Sequence, residues 1–277
     1  MNCKLLAFDL DGTLLRNDKS VSHETIAALK AAHEAGILIV PTTGRIYSGL
    51  PEQVAELPFL DYCIFGNGAG VYDVQNSRVI SSIPLEAEKV LKIIKRFHPP
   101  EAIYGVYQNN EGFMPAAMRD MLEDYLIGDF FPVYLRKMYQ PVPSLEEHFE
   151  QDGANIQKFN VYFRNEELKK AALEKMPGLF PDCAATTSLP TLIEFTNKDA
   201  HKGGALKLLC REIGIDIADT IAFGDGGNDF TLIREAGLGV AMENALPELK
   251  KIADYITLTN EEHGVAHVIN AVLNGQM

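Results

Sequence analysis

Three short apolar runs constrain this chain more than any other feature: Leu5-Leu6-Ala7-Phe8, Ile37-Leu38-Ile39-Val40 and Thr220-Ile221-Ala222-Phe223. Each is too short for a helix and lacks the polar alternation of a half-exposed strand, so each reads as a strand covered on both faces. The segments between them carry helical periodicity. Ile26, Leu29 and the alanines through Ala35 mark one helix, stopped by Gly36. Tyr47, Leu50, Val54 and Leu57 mark another, ahead of a third strand at Tyr62-Cys63-Ile64-Phe65. The rhythm resumes late in the chain, with a strand at Leu192-Ile193-Glu194-Phe195 and a helix from Ala205 to Ile213. A helix from about Asn228 to Glu235 follows the strand that ends at Phe223, and a closing helix runs through Val268, Ile269 and Val272. Strand–helix–strand repetition implies right-handed crossovers and an α/β fold, a doubly wound, Rossmann-like parallel sheet.

The middle departs from this rhythm. Val71-Tyr72-Asp73 and Arg78-Val79-Ile80 flank a turn-like Gln75-Asn76-Ser77, which predicts a hairpin. Ala87, Val90, Leu91, Ile94 and Phe97 form one helical stripe. Ile156, Phe159, Val161 and Phe163 predict a half-exposed strand, with an irregularity near Lys158. At 277 residues the chain is long for one compact domain. The expected organisation is a core of residues 1–82 and 191–277, interrupted by an α+β insertion at 83–190 with Pro84 and Pro190 as hinges.

Charge narrows the partners. Against 38 Asp and Glu stand 25 Lys and Arg, a formal −13. That surface repels nucleic acid and anionic membranes, so neither is an expected partner. It equally repels phosphorylated molecules, so a phosphate site here requires local cations. Cys3, Cys63, Cys183 and Cys210 form no CxxC pair and are expected to be buried, reduced thiols. No apolar run reaches membrane-spanning length and no signal-like segment opens the chain, which makes the cytoplasm the expected location. The seven His are scattered without metal-ligand spacing; His23, His98, His148 and His263 read as surface residues.

Chemistry concentrates at strand ends. Asp9-Leu10-Asp11-Gly12-Thr13 follows the first strand, at the carboxyl end where open α/β sheets place ligands. Residues two apart in extended chain point the same way, so both carboxylates face one site. Two such charges about 4 Å apart repel by on the order of 4 kcal/mol at an effective dielectric near 20, a cost that calls for a cation or a proton. An EF-hand is excluded, because Leu14 and Ser20 stand where that loop needs Gly and Glu. Gly224-Asp225-Gly226-Gly227-Asn228-Asp229 follows another buried strand, with glycines that let backbone approach a ligand and carboxylates able to reach a metal. Thr42-Thr43-Gly44-Arg45 offers a hydroxyl and backbone N–H groups for phosphate oxygens, and Lys202 opens a later helix as a compact positive charge. Gly66-Asn67-Gly68-Ala69-Gly70 is not a dinucleotide loop, since Val71 replaces the final small residue.

Taken in order, Asp9-x-Asp11-x-Thr13, Thr43 before Gly44-Arg45, Lys202, and Gly224-Asp225-x-x-Asn228-Asp229 resemble the four motifs of haloacid dehalogenase-like hydrolases. The Thr-Gly-Arg form, Asn67-Gly68-Ala69 and the position of the insertion are similar to the Cof-type phosphatase branch with a C2-type cap. The resemblance implies that Asp9 is the nucleophile, forming an aspartyl-phosphate, and Asp11 the general acid and base. It implies Mg²⁺ held by Asp9, Asp11 and Asp225 with support from Asn228 and Asp229, and phosphate contacts from Thr43, Gly44, Arg45, Asn67, Lys202 and Asn228. The expected partner is a small phosphorylated metabolite, a sugar phosphate or phosphorylated cofactor, and the insertion would act as a lid. Tyr104, Tyr107, Phe113 and Tyr162 are lid-contact candidates, although aromatic residues in such strands more often belong to a core. A phosphotransferase or mutase on the same scaffold, or a slow phospho-aspartate signalling module, shares these motifs. The sequence leaves the oligomeric state open.

Overall fold

The computed structural model of the protein describes residues 2–126, 130–175, 180–187 and 189–277. Among these the strands are, in chain order, β1 (Leu5–Phe8), β2 (Leu38–Pro41), β3 (Tyr62–Phe65), β4 (Gly70–Asp73), β5 (Arg78–Ser82), β6 (Ala102–Gln108) and β7 (Glu111–Pro115). They continue with β8 (Tyr139–Val142), β9 (Ile156–Phe163), β10 (Cys183–Thr186), β11 (Leu192–Asn197), β12 (Thr220–Gly224), β13 (Leu238–Ala241) and β14 (Tyr255–Ile256). Two compact units emerge, Met1–Ser81 with His201–Met277, and Ser82–Ala200.

The first unit is built on a parallel sheet in the order β14-β13-β12-β1-β2. Leu5, Leu6, Ala7, Phe8, Ile221, Ala222 and Phe223 are all buried, as uninterrupted apolar strands between helical layers require. Ser22 caps the helix His23–Glu34, accepting the Thr25 N–H at 3.1 Å. Pro41 costs the sheet nothing: it ends β2, and Thr42 resumes the ladder by donating to the Phe8 carbonyl at 2.8 Å. The third expected strand packs beside β2 but does not join its ladder; a single Thr42–Ile64 bridge links the two among the described residues. The chain reverses immediately through Gly66, Asn67 and Gly68, all at positive φ, so β3 ladders with β4 in the small antiparallel sheet β3-β4-β5. Its β4–β5 pair is the expected hairpin.

Strand β1 has β2 on one side and β12 on the other. The winding reverses there, which opens a crevice at the carboxyl ends of these strands. Asp9 and Asp225 are the first residues beyond β1 and β12.

The second unit holds the sheet β10-β11-β9-β6-β7-β8. One face carries Tyr104, Val106, Phe159, Val161, Phe163, Ile193 and Phe195, packed with Val90 and Ile93 from the helix Ala87–Ile94. Two expectations are corrected. Strand β9 is buried along its whole length, because its second face carries Lys158, Asn160 and Tyr162, themselves covered. Strand β11, read from sequence as core, pairs with β9 and β10, so the second unit continues past Pro190 to Ala200. Asn197 at its end donates to the Pro84 carbonyl at 2.9 Å, tying the two ends of the unit together. Of the four thiols, all free, Cys63 and Cys210 are buried and Cys3 and Cys183 half-buried. His148 is not a simple surface residue, since its Nε2 lies 2.7 Å from Gln108 Oε1; His263 is half-buried with its Nδ1 enclosed.

Candidate active site

A buried ammonium organises the crevice. Lys202 is the first residue of the helix Lys202–Ile213, whose N-terminus is capped by His201 through the Gly204 N–H at 2.9 Å. Its Nζ donates to Asp9 Oδ1 at 2.5 Å and to Asp229 Oδ1 at 2.6 Å, and the side chain has no solvent exposure. The second Asp229 oxygen accepts the backbone N–H groups of Asp225 at 3.0 Å and Gly226 at 2.9 Å. Asp229 thus folds the Gly-rich turn upon itself and aims Lys202 at Asp9. Gly68 makes the helix start reachable: at φ +96 it packs against His201, and a Cβ there would collide with the His201 carbonyl.

Asp225 is fixed by Thr13, whose Oγ1 donates to its Oδ1 at 2.7 Å. Gly12, at φ +86, is required beside it, since a Cβ would fall on the Asp225 carboxylate. Burial pushes the Asp9 carboxyl up to about 7; Lys202 opposes this, while the charges of Asp229 and Asp225 add to it. Burial likewise raises Asp225 to about 6 against its hydrogen bond from Thr13. For Lys202, burial disfavours the charge, but Asp229 and Asp9 outweigh it and hold the ammonium protonated.

Asp11 has different surroundings. Arg45 clamps it from Nη2, 3.1 Å to Oδ2 and 3.3 Å to Oδ1, and Lys19 Nζ reaches Oδ1 at 2.8 Å. Burial alone would raise its pKa, but the Arg45 charge and the Lys19 contact prevail and lower it. Arg45, expected at the phosphate, is therefore engaged with the other candidate carboxylate. Thr43 is buried; its N–H donates to the Ile64 carbonyl at 2.8 Å and its carbonyl accepts from the Asn67 N–H at 2.9 Å. Asn67 is held at φ +59 and accepts from Asn228 Nδ2 at 3.0 Å. Gly44 lies beside this pair.

The motif residues and Asn67 thus lie at the carboxyl ends of β1, β2, β3 and β12 or at the start of the Lys202 helix, whereas the lid-contact candidates Tyr104, Tyr107, Phe113 and Tyr162 lie on β6, β7 and β9 of the second unit. Several supporting residues were not legible. Thr13 was read as part of a motif without its own task. Asn244 donates to the Gly12 carbonyl at 2.8 Å, and Asn260 to the Leu15 carbonyl at 2.9 Å. Glu261 accepts the Asn17 N–H at 2.6 Å and pairs with Arg16 at 3.0 Å. Lys19 lies in a polar stretch indistinguishable from a solvated loop; only its positive φ and its contact with Asp11 set it apart.

The donor set fits a hard divalent cation. One oxygen from each of Asp9, Asp225 and Asp229 lies within 4.8 Å of the others. Three carboxylates against the single ammonium of Lys202 leave two negative charges to be balanced, and all-oxygen donors are those Mg²⁺ favours.

Comparison with known proteins matches nearly the whole chain. The model of the haloacid dehalogenase-like hydrolase family matches residues 6–269. Phosphatase YwpJ of Bacillus subtilis (strain 168) is 31% identical over 290 residues, covering 98% of this chain and 100% of that protein. The 5-amino-6-(5-phospho-D-ribitylamino)uracil phosphatase YwtE of the same organism is 31% identical, covering 99% of each. A solved haloacid dehalogenase-like hydrolase from B. subtilis superposes with a TM-score of 0.79 at 30% identity, covering 96% of this chain and 99% of the other. With four motifs meeting in one crevice and matches that run nearly end to end, the chain belongs to the haloacid dehalogenase-like hydrolases.

Proposed function

We propose that this protein is a Mg²⁺-dependent phosphatase that hydrolyses small phosphomonoesters through an aspartyl-phosphate on Asp9. The observation that carries the reading is the placement of Lys202 Nζ 2.5 Å from Asp9 Oδ1 in a crevice where Asp225 also converges. The similarity to proteins named as phosphatases supports the reaction class.

Asp9, Asp225 and the Asp11 carbonyl, with Asn228 and Asp229 in support, would hold Mg²⁺, which would supply positive charge against the phosphoryl group. Asp9 attacks phosphorus, its carboxylate oxygen forming the new P–O bond as the bond to the leaving oxygen breaks. Lys202, steadied by Asp229, and Thr43 with the Gly44 backbone stabilise the phosphoryl oxygens. Asp11 must carry a proton when substrate binds: it gives that proton to the leaving oxygen, then, as the carboxylate that Arg45 and Lys19 favour, takes one from the water that cleaves the aspartyl-phosphate, releasing inorganic phosphate. Arg45 and Lys19 hold the Asp11 carboxylate, and Arg45 and Asn67 with Asn228 form the substrate side of the crevice. The unit Ser82–Ala200 serves as a lid that excludes bulk water and selects the substrate.

The test is phosphate release from a panel of phosphorylated metabolites in Mg²⁺. Inorganic phosphate equal to substrate consumed supports hydrolysis; phosphate recovered on a second organic acceptor identifies a transferase or mutase instead. With p-nitrophenyl phosphate, whose leaving group needs no proton, Asp11→Ala should retain a burst of p-nitrophenolate. Its steady-state release of phosphate should fall by at least roughly 10²-fold. Unchanged steady-state release would remove Asp11 from the acid–base role, and with it the argument that this residue makes against a slow signalling module.

Metal dependence carries a sign. In metal-free protein, Asp9 at about 7 and Asp225 at about 6 lie above the 3.8 of free aspartate, so the folded state keeps protons that the unfolded chain has released. The stability these groups contribute is complete below about pH 4 and is lost as pH rises through 6 to 7. Millimolar Mg²⁺ competes with those protons and should raise Tm more at pH 8 than at pH 5. Thermal unfolding with and without Mg²⁺ measures this; equal shifts at both pH values count against the carboxylate site.

A further inference from the structure

The turn Arg16 to Ser20, between β1 and the helix His23–Glu34, is held in place from an unexpected direction. Its five residues are all polar and Asn17, Asp18 and Lys19 are exposed, so no apolar side chain anchors it. It is closed on itself. The Arg16 N–H donates to the Ser20 carbonyl and the Lys19 N–H to the Arg16 carbonyl, both at 2.9 Å, and Asp18 Oδ1 accepts the Ser20 N–H at 2.9 Å. Among the described residues, the hydrogen bonds that leave this turn reach only two partners, Glu261 on one side and Asp11 on the other.

Glu261 grips the turn with both oxygens. Its Oε1 accepts the Asn17 N–H at 2.6 Å, and its Oε2 accepts Arg16 Nε at 3.2 Å and Nη2 at 3.0 Å. The loop that carries Glu261 is itself braced. Thr259 Oγ1 donates to Glu262 Oε2 at 2.8 Å, the Gly264 N–H to the Thr259 carbonyl at 3.0 Å, and the buried Asn260 its N–H to Asn244 Oδ1 at 3.0 Å. Across the turn, Lys19 Nζ donates to Asp11 Oδ1 at 2.8 Å. All these residues belong to the unit Met1–Ser81 with His201–Met277. An ion pair as exposed as Arg16–Glu261, at 38% and 36%, contributes little to stability, so the grip serves placement.

We infer that Glu261 is a positioning residue for the acid–base group of the reaction, acting on Asp11 through Lys19; this rests on the phosphatase reading above. Glu261 fixes the turn, the turn places Lys19, and Lys19 with Arg45 sets the direction of the Asp11 carboxyl. Direction matters because the Asp11 proton passes to the leaving oxygen as that oxygen's bond to phosphorus breaks. A displacement of about 1 Å in such a group can cost roughly 10²-fold. The water that later attacks phosphorus returns a proton to Asp11, so the group ends as it began. Without Glu261 the turn keeps its internal bonds and loses its outer hold, and Lys19 has no fixed place beside Asp11.

The test compares phenyl phosphate with p-nitrophenyl phosphate in Mg²⁺ for the wild type, Glu261→Ala, Glu261→Gln and Lys19→Met. Here kcat/KM reports the first phosphoryl transfer, in which phenolate needs a proton far more than p-nitrophenolate does. Glu261→Ala and Lys19→Met should each lower the ratio of kcat/KM for phenyl over p-nitrophenyl phosphate by at least roughly fivefold. Their Tm should stay within about 3 °C of the wild type. Glu261→Gln, which keeps an acceptor for the Asn17 N–H, should recover part of the loss. Adding Glu261→Ala to Lys19→Met should change the ratio by less than roughly twofold, because both act along one line of contacts. An unchanged ratio in Glu261→Ala, equal losses on both substrates, additive losses in the double variant or a collapsed Tm overturns the proposal. Should Asp9→Asn hydrolyse p-nitrophenyl phosphate as well as wild type, the phosphatase reading itself falls. The side-chain carboxyl NMR resonance of Asp11, identified by its loss in Asp11→Asn, then decides the linkage: a shift in Glu261→Ala that matches Lys19→Met keeps it, and no shift ends it.

Discussion

Asp9→Asn should abolish phosphate release, by at least roughly 10³-fold, while leaving the protein folded and, without metal, more stable than the wild type. The first half follows from chemistry: a carboxamide cannot form the acyl phosphate on which the proposed turnover depends. The second half follows from the environment. Asp9 is one of three carboxylates grouped around one ammonium, and burial opposes its charge strongly enough to raise its pKa to about 7. The isosteric amide removes that charge, and Lys202 remains paired with Asp229 at 2.6 Å. Thermal unfolding in EDTA at pH 8 should therefore show a Tm at or above the wild type, and a phosphate-release assay should show none. Full activity in this variant would end the covalent mechanism, and a collapsed Tm would mean that Asp9 is foremost a structural partner of Lys202.

Lys202→Met should have the largest effect on folding. The lysine is entirely buried between two carboxylates, one of which is itself fully enclosed. Removing one partner of a buried ion pair leaves an uncompensated charge, at about 3–5 kcal/mol. In a domain of this size that lowers Tm by roughly 6–20 °C. Methionine fills much of the space, so a cavity is not the cause, and pH separates the two explanations. Protonating Asp9, whose carboxyl burial raises to about 7, relieves the uncompensated charge, so the deficit should shrink from pH 8 to pH 5, whereas a packing defect would not change. Differential scanning calorimetry at the two pH values reads this directly, and phosphate release should be lost at both.

Much of this was legible because the chemistry sits next to the strongest structural signal. Asp9 and Asp225 each follow a fully apolar strand, and strand ends are where such sheets hold ligands. Lys202 was readable as a helix start but not as a buried residue, since burial depends on Asp9 and Asp229 arriving from distant segments. The same limit hid Asn244, Asn260 and Glu261, whose partners Gly12, Leu15 and Asn17 lie more than two hundred residues earlier. A single Asn in a polar stretch has no local pattern that marks such a bond. Arg45 was placed at the phosphate by resemblance, whereas its guanidinium in this structure clamps Asp11. The β9 error has a different origin: alternation predicts which face is apolar, and Phe159 and Val161 obey it. It does not say whether the polar face meets water, and Lys158 and Asn160 do not.

The pairing of β1 with β12 also shapes how the molecule is made. Leu5 pairs with Thr220, about 215 residues later, so at ribosomal elongation rates of 5–20 residues per second the first strand waits roughly 10–40 s for its neighbour. During that interval the nascent chain holds β1 with one flank uncovered, while the whole Ser82–Ala200 unit is synthesised. Asp9 is thus among the earliest residues synthesised, yet Lys202 lies 193 residues later and Asp225 beyond it, so both arrive only after the Ser82–Ala200 unit. Until then an assembled phosphate site cannot exist.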